Sequence, residues 1–133
     1  MNEKRITGAE WPIMEALWNG GTLTAAEIVA CVTARTGTSM RTVKTLLRRL
    51  VTKGAVATAV DAADARVYHY TARVQREECA AVRTEAILDT VFAQDAGEML
   101  LHFVRGARLS RTEIERLEAL LAEKREELEK HDG

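Results

Sequence analysis

Residues 39–54 constrain the chain more than any other stretch, because at 3.6 residues per turn they sort into two opposed stripes. Val43, Leu46, Leu47 and Leu50 recur at i, i+3, i+4 and i+7 and form an apolar face, while Arg41, Lys44, Thr45, Arg48 and Thr52 fall on the other side. Ser39 offers an N-cap oxygen, and Gly54, directly after Lys53, suits the left-handed residue that closes a helix. The pattern predicts a helix over residues 40–53. Its outward face bears cations and short hydroxyls without an acid, whereas a helix that only meets water carries mixed charges at i, i+4. Acids there would repel phosphate, so the segment reads as a helix that enters a groove of DNA. A basic amphipathic helix facing only solvent is the competing reading.

The preceding segments decide between the two. Residues 1–6 show mixed charge and no period, and read as a loose tail. Thr7 and Glu10 have the spacing of a capping box, and Trp11, Met14, Leu17 and Trp18 then repeat as a core stripe, with Pro12 in the first turn, where its missing N–H costs nothing. Trp11 and Trp18 lie on one face with Met14 between them, which marks core rather than base-stacking aromatics. Gly20 and Gly21 end this helix. Thr24 and Glu27 form a second capping box, opening a helix to about residue 36 with Ile28 and Val32 inward and Gly37 as its stop. So few residues separate Gly37 from Ser39 that the second and third helices form a helix-turn-helix. Residues 55–60 and 65–71, rich in Val, Tyr and Thr and separated by Asp61 and Asp64, predict a short β-hairpin. Three helices and a hairpin make a winged helix over residues 1–73.

From residue 74 onward the pattern is helical: about 74–92, 96–104 and 111–130, with Ser110 and Glu113 as a third capping box. Met99, Leu100, Leu101, Phe103 and Val104 form a dense apolar patch, and Ile114, Leu117, Leu121 and Leu128 line one side of the last helix. That surface exceeds what the remaining chain can cover, which predicts partner helices and a dimerisation domain over residues 74–133. The fold class is therefore mainly α, a winged helix-turn-helix followed by a helical dimerisation domain. A symmetric dimer would set two recognition helices about 34 Å apart, one duplex turn, and so require a palindromic site on double-stranded DNA.

Charge divides along the same line. Residues 1–73 carry ten Lys or Arg against six Asp or Glu, a net of +4, and residues 74–133 carry nine against fourteen, a net of −5. A basic front and an acidic back imply that only the front meets nucleic acid. Cys31 and Cys79 are 48 positions apart, and His69, His102 and His131 are scattered, so no metal site assembles and both cysteines read as packing residues. No nucleophile–base pair, glycine-rich phosphate loop or cofactor motif stands out, and an enzyme is the least favoured class. With no run of 18 apolar residues and no basic-then-apolar start, a cytoplasmic protein is expected.

At this point the residues resemble the penicillinase-repressor family of winged-helix regulators, which includes the methicillin-resistance and copper-responsive repressors. Glu10-Trp11, Met14 and Leu17-Trp18 resemble the family's first helix; Thr42-Val43, Thr45-Leu46, Arg49-Leu50 and Lys53-Gly54 resemble its recognition helix. Arg66 and Tyr70 resemble the wing, and Phe103-Val104, Leu109-Ser110 and the run from Glu113 to Leu117 resemble the dimerisation helices. The resemblance covers roughly residues 6–125. It implies a homodimeric repressor that holds a promoter palindrome until a signal releases it. In the β-lactam branch that signal is proteolysis of an Asn-Phe bond, and the aligned pair here is His102-Phe103, so a regulatory protease is a candidate partner. The copper branch has a cysteine-rich tail; residues 126–133 here, Glu-Glu-Leu-Glu-Lys-His-Asp-Gly, carry no cysteine, so copper sensing by that route is not expected. In the wing, Thr58 and Ala59 stand where the family often carries a cation, leaving Arg66 as the wing's phosphate contact.

The residues assigned to DNA are Arg41, Thr42, Lys44, Thr45, Arg48, Arg49 and Arg66. The two threonines are placed to touch base edges or thymine methyls, and the longer cations to hold phosphates. The rival from another class is a winged-helix module that binds protein rather than DNA, since fold does not fix function.

Overall fold

The computed structural model describes residues 2–132 and contains, in chain order, α1 (Trp11–Gly20), β1 (Thr22–Thr24), α2 (Ala25–Thr36), α3 (Met40–Lys53), β2 (Val56–Val60), β3 (Tyr68–Ala72), α4 (Arg76–Val91), α5 (Ala96–Gly106) and α6 (Arg111–Asp132). The strands form one antiparallel sheet in the order β1-β3-β2. The hairpin forms with its second strand starting later than expected, at Tyr68, and the helices follow the sequence pattern. The first strand does not: Thr22–Thr24 pairs with β3, Leu23 opposite Tyr70, and three residues without alternation gave no strand signal.

Packing divides the chain into two compact units, one ending at Ile87 and the other beginning at Leu88. The first extends beyond residue 73 because the start of α4 belongs to its core: Cys79 is fully buried, and Trp18 Nε1 donates 2.9 Å to the Val74 carbonyl oxygen. Arg76 donates to Glu15 and lies 6.0 Å from the Trp11 ring centre, which ties α4 to α1. Within this unit α1 contributes Ile13, Met14 and Leu17, α2 contributes Ile28 and Val32, and α3 contributes its whole apolar stripe. Trp11 and Trp18 are half-buried against that core, edge to face at 5.3 Å.

The N-terminal residues are not a loose tail. Ile6 is buried in the core, Lys4 pairs with Glu78 at 2.6 Å, and the Arg5 carbonyl oxygen accepts from Lys53 Nζ at 2.9 Å. A single aliphatic residue among charges gives no period, yet its side chain joins the buried core. Thr7 and Glu10 exchange the two predicted hydrogen bonds, Glu10 N to Thr7 Oγ1 and Thr7 N to Glu10 Oε1, and so form the turn that leads into α1.

In the second unit α5 is capped by Asp95, which accepts from the Glu98 amide at 2.9 Å, and α6 by the Ser110–Glu113 pair. Phe92, His102 and Phe103 form a ring cluster with centroids 5.8 to 6.1 Å apart. The link into α5 passes through Ala93 (φ 46°) and Gln94 (φ 69°), two non-glycine residues in the left-handed region that L side chains rarely occupy. Among the described residues of α6 none is buried.

Candidate nucleic-acid interface

The placement of α3 starts from its ends. Ser39 Oγ accepts from the Thr42 amide at 3.3 Å, and Gly54 closes the helix at φ 89°, a conformation open to glycine without a Cβ clash. Between those caps Val43, Leu46, Leu47 and Leu50 are buried, so the burial fixes how the helix is rolled. Arg41, Thr42, Lys44, Thr45, Arg48 and Arg49 are all exposed as a consequence. Among the described residues no carboxylate pairs with any of the four cations in that set.

The two threonines differ in what they offer. Thr45 Oγ1 donates to the Arg41 carbonyl at 3.0 Å, so its proton is engaged within the helix and its methyl is the group left to offer, the partner a thymine methyl calls for. Thr42 Oγ1 accepts from Ser39 Oγ at 3.1 Å and keeps its own proton for an acceptor such as a purine N7 or a phosphate.

The helix is held at its far end by a buried ion pair that sequence spacing does not reveal. Lys53 Nζ sits 2.6 Å from Glu10 Oε1, with the side chains 13% and 0% exposed. Burial pushes the Glu10 carboxyl up, but hydrogen bonds from Lys53 and from the Thr7 amide outweigh it and hold the group below the ordinary carboxylate value. Its second oxygen, Oε2, is buried without a hydrogen-bond partner, so one cation and one amide carry the whole charge. This pair fixes α3 against α1 and the N-terminal segment.

The wing departs from its prediction. The connection between β2 and β3 spans residues 61–67, longer than a tight turn, because the carboxylates capture the backbone first. Asp61 accepts from the amides of Ala63 and Asp64, and Asp64 from that of Arg66, which holds those residues off the strand ladder. Asp61 also meets His69 Nε2 at 2.6 Å; that hydrogen bond, with the two amides, lowers its pKa. Arg66, the assigned phosphate contact, is exposed but already engaged: its Nε lies 3.2 Å from Asp64 Oδ1. DNA would have to draw it from that carboxylate.

The apolar residues of the second unit divide as well. Leu100, Leu101, Phe103 and Val104 of α5 are exposed, as are Ile114 and Leu121 of α6, and Leu117 is half-buried. Met99 is different: it is buried within its own chain, so it supports α5 from inside rather than offering surface to a partner. His102 is exposed, and the His102-Phe103 peptide lies inside α5.

The family model described as penicillinase repressor matches residues 6–123. The chain belongs to the penicillinase repressor family. A penicillinase repressor of Bacillus licheniformis is 26% identical over 119 residues, covering 90% of this chain and 91% of that protein. The methicillin resistance regulatory protein MecI of Staphylococcus aureus strain N315 is 26% identical over 119 residues, covering 90% and 94%. Among solved structures, the DNA-binding domain of the repressor BlaI is similar with a TM-score of 0.51 at 25% identity, covering 59% of this chain and 93% of that one. In family terms the first unit is a winged helix-turn-helix, and among the described residues no helix is long and apolar enough to cross a membrane.

Proposed function

We propose that this family member is a transcriptional repressor that binds a palindromic operator as a homodimer in the cytoplasm, with no catalytic activity of its own. The observation that carries the reading is the exposed, acid-free cationic face of α3, rolled outward by four buried aliphatic residues. Arg41, Lys44, Arg48 and Arg49 supply the phosphate contacts, Thr42 and Thr45 the base-edge contacts, and Arg66 joins once it leaves Asp64. The relative named as a penicillinase repressor, the one named as a methicillin resistance regulatory protein, and the DNA-binding domain that the first unit resembles support the same reading.

Homodimerisation is supported by the exposed leucines, Phe103 and Val104 of α5 together with Ile114, Leu117 and Leu121 of α6, a surface rich enough in hydrocarbon to favour helix-on-helix burial. Release by a protease cutting His102-Phe103 rests on the alignment of that pair alone. Mapping the fragments produced in an induced cell extract tests it, and an intact chain after full derepression ends it.

Selection from random genomic fragments on a filter tests the main reading. An inverted repeat should emerge, and Lys44→Gln or Arg48→Gln should weaken binding to all sequences while lowering the salt slope by about one per lost phosphate contact. No retention at low salt would leave the protein-binding module as the better account.

A further inference from the structure

The recognition helix and the wing flank an open groove of about 370 Å³, a volume in the range of small-molecule sites. Its α3 wall carries Lys44 and Arg48, one turn apart, with Val51 on the following turn; its β3 wall carries Tyr68 and Tyr70, two residues apart and so on one face of the strand. Leu47 also lines it, and no carboxylate does. A phosphodiester uses the two cations, while the hydrocarbon beside them suits an apolar group better than a phosphate. A ligand with both a negative head and a flat apolar body uses all of it.

We propose that this groove is a regulatory site for a small aromatic carboxylate. The carboxylate pairs with Lys44 and Arg48, and the ring lies between Val51 and the two tyrosines, where charge-assisted hydrogen bonds and ring contacts act together. Because both cations are also the assigned phosphate contacts, an occupied groove competes with the duplex. Occupancy stands on the groove's own chemistry, and only the competition rests on the operator-binding reading.

The test uses the full chain and 2-naphthoate as probe. Titration of the 15N-labelled protein should shift the amides of α3 from Lys44 to Val51 together with Thr58, Tyr68 and Tyr70, and an equal concentration of acetate should leave them nearly unmoved. Anisotropy of a labelled duplex recovered by the filter selection should show binding weakened about tenfold when naphthoate stands at roughly ten times its Kd, as simple competition requires. Thr58→Trp, at an exposed strand position on the rim, fills the groove; it should abolish the naphthoate shifts and the competition while its spectrum remains that of a folded protein. Shifts that are absent, that spread over α5 and α6, that acetate reproduces, or that survive in Thr58→Trp overturn the site. If the wild-type chain binds no duplex, the operator reading fails by itself, and the groove is still judged by the shifts.

Discussion

The unit ending at Ile87 and the unit that follows treat the same kind of amphipathic helix in opposite ways. In the first, Ile13, Met14, Ile28, Val43 and Leu50 are fully buried; in the second Met99 is buried, while Leu100, Phe103, Leu121 and Leu128 face outward, Leu121 at 61% exposure. Caps do not explain the contrast, since α2, α3, α5 and α6 all have capping oxygens in place. What differs is the number of faces available. Helices α1 to α3 have one another and a sheet to pack against, whereas α5 and α6 have apolar area in excess of what their own unit covers. Caps set where a helix begins; burial depends on what stands opposite.

That contrast can be broken most severely from the packed side. Lys53→Ala leaves the Glu10 carboxylate buried without its cation, and urea unfolding of the first unit should lose about 3–5 kcal/mol. A loss under about 1 kcal/mol would mean that water reaches the carboxylate. From the open side, Phe103→Asp should weaken subunit association by about a hundredfold in sedimentation equilibrium, near the effect of losing one interface hot spot, and leave the first unit's melting unchanged. A mutant that melts earlier in the first unit would contradict the division.

Acid sharpens the comparison through the same ion pair. The native Glu10 carboxyl binds its proton more weakly than the unfolded one, so its contribution is complete above the ordinary value of 4.5 and is lost as pH falls through the lowered native value. Glu10→Gln should flatten the acid limb of the first unit's stability curve, followed by fluorescence of Trp11 and Trp18. The smallest effect belongs to the wing. Asp64→Asn frees Arg66 for phosphate, and duplex affinity should rise by about twofold to fivefold at low salt, with a steeper salt slope. Unchanged affinity would remove Arg66 from the interface.

Much of the first unit was legible in the sequence for a physical reason: α2 begins at the reciprocal Thr24–Glu27 pair and α3 at the Ser39 cap, α1 to α3 close at glycines, and each apolar stripe keeps one period. α3 runs over the predicted residues with the predicted four inside. Features built from distant residues were not legible. Glu10 and Lys53 are separated by 43 positions, β1 is too short to alternate, and Ile6 stands alone among charges. The wing misled locally, because its aspartates bind the backbone amides of residues 63, 64 and 66 and lengthen the connection beyond the expected residues 61–64. Met99 misled for the opposite reason: an apolar run in a helix covers every direction, so one member faces inward even when its neighbours do not.

The amide joining His102 to Phe103 lies in the middle of an α-helix of 11 residues, flanked by aromatic rings. Proteolytic clefts grip their substrates as extended backbone, so that peptide is reached only after several turns unwind. The rate of any cut there is governed by how often α5 opens. If two subunits are clasped through the neighbouring leucines, opening becomes rarer as the protein accumulates, and the repressor's lifetime would lengthen with its own abundance.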